Sequence, residues 1–145
     1  MQVLIQRVSQ AQVAVDTEIV SKIGCGLLVF IGFEKNDGQA QVGTMIKRLL
    51  SYRVFNDSKG KMNLSVKDVE GALLLVPQFT LAADTASGTR AGFSTAKEPV
   101  AAETLYNDFV EQMQTLYQSV ATGVFAADMQ VALVNDGPVT FMLSC

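Results

Sequence analysis

The sequence predicts an α+β fold with a mainly antiparallel sheet and two main helices. Strand-like segments occupy most of the chain, and turn residues separate several of them. Two segments show the 3.6-residue apolar periodicity of amphipathic helices, and they lie far apart in the sequence. A strand-rich chain whose helices are segregated in this way is typical of α+β architecture.

The first 33 residues predict three strands. Residues 3–7 and 12–16 alternate apolar and polar side chains, whereas residues 26–33 are a continuous apolar run that indicates a buried strand. Asn36-Asp37-Gly38 marks a turn and a helix entry. The helix then runs over about 39–50, with an apolar face made of Val42, Met45, Ile46, Leu49 and Leu50.

The middle of the chain predicts a small hairpin, a buried strand and a long loop. Residues 53–55 form a short strand, and the turn residues 56–60 indicate that a hairpin follows. Residues 72–76 are an apolar run that predicts another buried strand. The loop over 82–97 is rich in small polar residues, and loops of that length without regular structure are often functional.

The last third predicts a second helix and a closing hairpin. Pro99 suits the first turn of a helix. The apolar stripe of this helix, which we expect to pack in the core, consists of Ala102, Leu105, Tyr106, Phe109, Val110, Met113, Leu116 and Tyr117. Strand-like residues 129–134 and 139–143 flank Asn135-Asp136-Gly137-Pro138, whose turn chemistry predicts a hairpin.

Length and composition indicate one globular domain over residues 1–145. The hydrophobic fraction of 49% is that of a folded chain. No apolar run approaches the roughly 20 residues that span a bilayer, so we expect no membrane partner. Residues 1–7 lack the pattern of a signal peptide. With Cys25 and Cys145 as its only cysteines, the chain has no disulfide framework, and we expect a cytoplasmic protein.

The chain contains no histidine. This excludes Ser-His-Asp and Cys-His catalysis within one chain and removes the commonest zinc ligand. An enzyme with this sequence must therefore use carboxylates, hydroxyls, backbone dipoles or the substrate itself.

Charge is distributed unevenly along the chain, whose net charge is −3. All 11 basic residues lie between Arg7 and Lys97, and residues 98–145 contain acidic residues but no basic ones. Residues 47–67 hold six of the basic residues, namely Lys47, Arg48, Arg53, Lys59, Lys61 and Lys67. This basic cluster suits RNA phosphates or is simply a solvated face.

Residues 77–81, Pro-Gln-Phe-Thr-Leu, contain the first candidates for chemistry. The Gln78 amide can donate a hydrogen bond to a carbonyl or hydroxyl. The N–H groups of Phe79 and Thr80 can bind an ester oxyanion. The Thr80 hydroxyl is a weak nucleophile without a base, so a positioning role fits it better. Phe79 either stacks on a nucleobase or packs in the core.

Other polar residues give weaker indications of a catalytic or ligand-binding role. Asp84, Asp128 and Asp136 are possible general bases or Mg²⁺ ligands, but they lack a recognisable spacing, and we predict no metal site. Asp136, just before a glycine in a turn, is more typical of a residue that caps backbone groups. Arg90 and Lys97 lie in the long loop, where they either meet a phosphate or stay solvated.

The Gly137-Pro138 step has a physical interpretation beyond a turn. Glycine lets the backbone approach a ligand closely, and proline makes that backbone rigid. A rigid backbone wall discriminates by shape, and it can exclude one enantiomer whatever the side chain. Gly137 and Pro138 are therefore candidates for substrate selection.

Taken together, the motifs resemble those of the D-aminoacyl-tRNA deacylases, and the resemblance covers essentially the whole chain. The resembling segments occur in order at residues 1–8, 24–29, 52–55, 60–65, 78–82, 123–129 and 135–140. This resemblance implies a homodimer of barrel-like β-rich subunits that binds tRNA, with no cofactor and no DNA partner. The implied reaction is hydrolysis of D-aminoacyl esters, and of glycine mischarged on tRNA-Ala.

The same resemblance assigns roles to individual residues. It implies that Gly137-Pro138 is cis and reaches into the partner's pocket, where it excludes L-amino acids. Arg7 is implied to hold that loop. Gln78, Phe79 and Thr80 are implied to be catalytic on the pocket floor, with Leu81 beside them, and Met129 to bind substrate. The ribose 2′-hydroxyl of the tRNA is implied to assist hydrolysis.

One residue departs from the family pattern. The family usually has Ser before Gln-Phe-Thr-Leu, whereas this chain has Pro77. Proline removes both a hydroxyl and a backbone N–H, so any role of that serine is absent here. Proline also predicts that the stretch lies at a strand end or edge.

The sequence is therefore interpreted as that of a metal-independent, dimeric D-aminoacyl-tRNA deacylase. Two alternatives stay open on the residues alone. One is a non-catalytic RNA-binding module that uses the basic cluster, and the other is an esterase for small molecules.

Overall fold

The computed structural model describes all 145 residues. Its elements follow in the order β1 (Gln2–Val15), β2 (Glu18–Ile23), β3 (Gly26–Gly32), α1 (Gln39–Ser51), β4 (Phe55–Asn56), β5 (Met62–Leu64), β6 (Ala72–Pro77), a 3₁₀ helix (Phe79–Ala82), α2 (Pro99–Leu116), β7 (Val120–Thr122) and β8 (Met129–Ser144). Neither α1 nor α2 combines the length and apolar character needed to cross a membrane.

One six-stranded sheet forms the body of the molecule. Strand β1 pairs antiparallel with β2, β3 and β8, while β6 pairs parallel with β3 and with β7. The Ser21 hydroxyl on β2 donates a hydrogen bond to the Thr122 carbonyl on β7, so the two ends of the sheet approach each other. The sheet is mostly antiparallel and nearly closed, which confirms the predicted α+β fold with a barrel-like sheet and two helices.

Two apolar clusters lie on opposite faces of this sheet. The larger one packs α1 and α2 against alternate residues of the central strands, such as Leu27, Val29 and Leu73. The smaller one fills the inside of the curved sheet and includes Leu28 and Leu74. Strands β3 and β6 are apolar on both faces for this reason, and they are the continuous apolar runs of the sequence.

The prediction for the start of the chain is partly wrong. Residues 3–7 and 12–16 were expected to be separate strands, but β1 continues through them from Gln2 to Val15. The strand β2 over Glu18–Ile23 was missed. Its sequence mixes charged residues with Ile19 and Val20, which are both exposed, so it lacks the alternation of a half-buried strand.

The predicted closing hairpin is also wrong. Residues 129–144 form one strand, β8, that pairs with β1 on both sides of the Gly-Pro step. Gln6 pairs with Thr140 and Val8 pairs with Asn135, so residues 136–139 bulge out opposite Arg7. The Asn135 amide bridges this bulge by donating to the Arg7 carbonyl at 2.9 Å and to the Val139 carbonyl at 3.2 Å. A bulge tolerates a proline because it needs no ladder N–H there.

The expectation of a cis Gly137-Pro138 bond is corrected as well. The chain contains no cis peptide bond, so this bond is trans. The bend comes instead from Gly137, whose φ of +122° is a conformation that residues with a Cβ rarely adopt. The trans form of an X-Pro bond is intrinsically favoured by about 0.5–1 kcal/mol.

A second glycine places the 3₁₀ helix against the sheet. A Cβ added to Gly32, at the end of β3, would lie 2.8 Å from the Leu81 Cβ and 2.9 Å from the Gln78 carbonyl oxygen. Only a residue without a side chain leaves room for that approach. The segment 78–82 therefore sits directly on the carboxyl ends of β3 and β6.

Candidate active site

A cavity of about 510 Å³ opens where β6 meets the 3₁₀ helix. One wall is the chain from Val76 to Phe79, and the other is formed by residues 125–127 together with Met129 and Val131 of β8. Lys97 is the one charged residue in its lining. The volume suits a small ligand rather than a solvent molecule, and the apolar walls with few polar groups are typical of binding sites.

The 3₁₀ helix leaves two backbone donors free beside this cavity. The Gln78 N–H donates to the Ile31 carbonyl at 2.7 Å, which ends the pairing of β3 with β6. The next N–H to be used is that of Leu81, which donates to the Gln78 carbonyl at 3.2 Å. The N–H groups of Phe79 and Thr80, between them, belong to the first turn of the helix, where backbone donors have no acceptor within the helix.

The side chains of Gln78 and Thr80 contact each other. The Gln78 amide donates a hydrogen bond to the Thr80 hydroxyl oxygen. That oxygen is therefore paired with a donor, not with a base that would take its proton. A nucleophilic Thr80 needs such a base, so the geometry favours the positioning role.

Met129 is fixed at the opposite wall by a tight loop. Its sulfur accepts the Val124 N–H at 3.3 Å, and a Cβ added to Gly123 would lie only 2.8 Å from it. The buried Tyr106 hydroxyl donates to the Leu75 carbonyl at 2.9 Å and lies 3.4 Å from the Gly123 carbonyl. Burial raises the pKa of Tyr106 well above its usual value, so this phenol remains a donor.

Tyr106 gives a stability prediction. We expect Tyr106→Phe to lower the free energy of unfolding by about 1 kcal/mol, because it removes a buried hydrogen bond that ties α2 to the wall of the cavity. Urea denaturation of both proteins measures the difference. Tyr52→Phe is the matched control, since the hydroxyl of this half-buried tyrosine makes no hydrogen bond in the chain. Equal destabilisation by the two changes would contradict the prediction.

Arg7 and the Gly-Pro bulge form a second, separate group. The buried Arg7 guanidinium donates from Nε to the Asp136 carbonyl at 3.0 Å and lies 3.2 Å from the Asp136 carboxylate. It also donates from Nη1 to the Val54 carbonyl at 2.6 Å. Arg7 thereby joins the bulge to the segment before β4, while Gly137 and Pro138 remain exposed at the surface.

The predicted site residues therefore lie in two separate places in the structure. Gln78, Phe79 and Met129 line the cavity, and Thr80 and Leu81 adjoin it on the 3₁₀ helix. Arg7, Gly137 and Pro138 do not line it. Val131, the lining residue of β8 nearest to the bulge along the chain, is four residues from Asn135, which is about 14 Å along an extended strand. A single chain does not bring the bulge to its own cavity.

The free edge of β8 is the largest unpaired feature of the sheet. β8 is 16 residues long, and no strand other than β1 pairs with it. Val134, Phe141 and Met142 on this strand are exposed apolar side chains. Long apolar edges of this kind form a template for pairing with another chain unless they are protected.

Most of the chain matches one known family. Residues 4–144 match the family model described as D-Tyr-tRNA(Tyr) deacylase. The chain is 57% identical over 143 residues to a D-aminoacyl-tRNA deacylase of Alcanivorax borkumensis, a match that covers 99% of each protein. It is 56% identical over 142 residues to that of Marinobacter nauticus, with 97% of this chain and 91% of the relative covered. The chain belongs to the D-Tyr-tRNA(Tyr) deacylase family.

Two solved structures have the same fold as this chain. A structure titled c-Myc DNA Unwinding Element Binding Protein is 38% identical, with a TM-score of 0.96, and the match covers 100% of this chain and 99% of that one. A probable eukaryotic D-amino acid tRNA deacylase has a TM-score of 0.86 at 18% identity, covering 98% and 97%. The chain is accordingly a hydrolase that acts on the ester of D-aminoacyl-tRNA.

Pro77 lies at the position where the deacylase sequence departs from its family pattern. It is the last residue of β6 and it also lines the cavity. This confirms that the stretch lies at a strand end. As a proline it has no backbone N–H, so it offers no donor to the cavity.

Sequence reasoning missed several residues at or beside the cavity. The 125–127 segment was quoted only as part of a motif, although it forms a wall of the cavity. Phe93 was not singled out, yet its ring lies 5.1 Å from that of Phe79, centroid to centroid. An aromatic residue in an otherwise polar loop was the available signal.

The basic cluster over 47–67 is partly used within the deacylase chain itself. Arg48 donates to the Ser144 carbonyl at 2.7 Å and lies 5.8 Å from the centre of the Tyr52 ring. Asp57 accepts the Lys61 and Lys59 backbone N–H groups, and these bonds, with one from Asn63, lower its pKa. The hairpin that carries the lysines is therefore held by its own turn.

Proposed function

We propose that the cavity is the site where the deacylase hydrolyses D-aminoacyl-tRNA, with the N–H groups of Phe79 and Thr80 as its oxyanion hole. The observation that carries this proposal is that two adjacent backbone donors of the first helical turn, which have no acceptor within the helix, lie at the edge of an apolar cavity. Preorganised donors of this kind stabilise the charge that develops on an ester oxygen, and they need no histidine.

In the proposed reaction, no group of the protein becomes covalently attached to the substrate. A water oxygen bonds to the ester carbonyl carbon, and the carbonyl oxygen becomes an anion held by the two N–H groups. The carbonyl then re-forms and the bond to the ribose oxygen breaks, and that oxygen takes up the proton that the attacking water gives up. The products are a free amino acid and tRNA. The 2′-hydroxyl of the ribose assists, while Gln78 and Thr80 orient the ester.

Selection against L-amino acids is assigned to Gly137-Pro138 of a second copy of the chain. This assignment is supported by the separation of the bulge from the cavity within one chain, and by the free apolar edge of β8. Arg7 holds the bulge in position, and Met129 and Leu81 shape the opposite side. A filter made of backbone rejects the L-enantiomer and admits glycine, including glycine mischarged on tRNA-Ala.

The proposed partners follow from the same features. They are tRNA and a second copy of the chain, acting as one domain in the cytoplasm. A DNA partner and a membrane are not proposed. Sedimentation analysis tests the dimer, and a mass of one chain at micromolar concentration would refute it.

The test of the proposed function compares matched D-Tyr-tRNA and L-Tyr-tRNA with the wild-type protein. We expect rapid loss of the D-ester and survival of the L-ester, because only the D-side chain fits beside the backbone filter. An excess of duplex DNA serves as competitor and should leave the rate unchanged. Equal hydrolysis of both esters would refute the proposed selection by Gly137-Pro138. Survival of both esters would refute the proposed active site in the cavity.

A further inference from the structure

A second aromatic ring stands beside Phe79 at the edge of the cavity. Phe93 and Phe79 contact each other with their rings tilted by 48°. Their exposed fractions are 47% and 58%, so their contact with each other leaves about half of each ring in water. An apolar surface of this kind, rimmed by polar residues, is typical of a binding site. We call the two rings the aromatic shelf.

The shelf is held in place although Phe93 lies in the long loop. Asp84 and Gly92 exchange two backbone hydrogen bonds of 2.8 and 2.9 Å, which close the loop just before Phe93. After it, the Thr95 carbonyl accepts the Lys35 N–H at 2.9 Å, and the Thr95 hydroxyl donates to the Ala82 carbonyl. Phe93 is thus anchored on both sides, and its ring is presented to solvent by a fixed backbone.

The chemistry around the shelf matches the end of a nucleic acid strand. Phe79 belongs to both the shelf and the cavity, so a ligand in the cavity extends directly onto the shelf. Lys97, the charged residue of the lining, is half-buried, and its Nζ donates to the Lys35 carbonyl at 2.9 Å. Aromatic faces beside a fixed cation are how proteins hold an unpaired base and its phosphate.

We infer that Phe93 is a binding residue of the deacylase and that an unpaired base at the 3′ end of the tRNA stacks on the aromatic shelf. The inference rests on the proposed placement of the reaction in the cavity. It adds a contact with the tRNA itself to the contacts with the amino acid in the cavity. A base there would keep the ester beside the N–H groups of Phe79 and Thr80.

The kinetic test uses Phe93→Leu and Phe93→Tyr. Leucine keeps apolar contact with Phe79 but lacks a π-face, so we expect KM for D-aminoacyl-tRNA to rise about tenfold while kcat stays unchanged. Tyrosine should restore the wild-type KM. Ile19→Ala, at an exposed apolar residue on β2, is the control and should change neither constant. An unchanged KM for Phe93→Leu in an assay where the wild type is active would overturn the inference.

A binding test separates this inference from the proposed function. The chain has no tryptophan, so Phe93→Trp introduces a single fluorescent reporter. We expect uncharged tRNA to quench its emission to saturation, and tRNA that lacks the 3′-terminal nucleotide to quench it much less. Equal quenching by the two tRNAs, or emission that responds only to protein concentration, would show that another surface or a second copy covers the shelf, and the inference would be wrong.

Discussion

Phe79→Pro should lower kcat for D-aminoacyl-tRNA by about 10²–10³-fold relative to Phe79→Ala, which is the loss typical of removing one oxyanion donor. Both changes delete the ring, but only proline deletes the N–H. Proline suits the first position of a helix, where the N–H is unpaired. Gln78, with φ −145° and ψ 81°, lies outside the α region, which is the region that a following proline disfavours.

The comparison of the two variants isolates the backbone donor. KM should rise by a similar factor in both, since both lose the same half of the aromatic shelf. Unfolding in urea shows whether each variant is folded, and Thr80→Ala serves as a control that leaves both N–H groups in place. If Phe79→Pro and Phe79→Ala share one kcat, the N–H of Phe79 is not part of an oxyanion hole.

Gly137→Ala should be the second most damaging substitution. An added Cβ would lie 2.5 Å from Arg7 Nη2 and 3.0 Å from Val139 Cγ2, at a φ of +122°. The strain of such a backbone position is of the order of 1–3 kcal/mol. Arg7 is buried and bound to the Val54 carbonyl, so the bulge, and not the guanidinium, has to move. We expect either D-ester hydrolysis or its preference over the L-ester to fall by at least about tenfold, which corresponds to 1.4 kcal/mol.

Gly60→Ala is the matched control for Gly137→Ala. Gly60 also has a positive φ, +75°, but nothing lies within 4 Å of its added Cβ. Gly60→Ala should therefore lower the free energy of unfolding through backbone strain but leave D-selective hydrolysis intact. Rates and enantiomer ratios are measured for both variants. Unchanged turnover and selectivity in Gly137→Ala would show that the bulge plays no part in the reaction.

The sequence allowed prediction of those parts of the fold that are determined locally or by burial. The helix over Gln39–Ser51 agrees with its apolar periodicity, and the helix that begins at Pro99 does so as well. The buried strands β3 and β6 were visible as apolar runs. The last strand was not, because Asn-Asp-Gly-Pro has the same chemistry in a hairpin turn and in a bulge. Pairing of both flanks with β1 decides between them, and that contact is distant in sequence.

The candidate site was predictable to a similar extent. The candidates Gln78 and Phe79 lie at the cavity together with Met129, which came from the family resemblance and not from any local pattern. The distance from these residues to Gly137 depends on the course of β8, so no local sequence pattern indicates it. The unpaired N–H groups of Phe79 and Thr80 became evident only from the 3₁₀ helix. Phe93 became a candidate binding residue only through its contact with Phe79 in the structure.

A mixed dimer tests the central claim, which is that the bulge of one chain completes the cavity of another. Phe79→Pro and Gly137→Ala chains carrying different tags are co-produced, and the mixed dimer is isolated through both tags. Its Gly137→Ala chain keeps an intact cavity and faces the intact bulge of the other chain. We predict D-selective hydrolysis at about half the wild-type rate, since one of two equivalent sites is complete. A mixed dimer no more active or selective than the two parent variants would contradict the account.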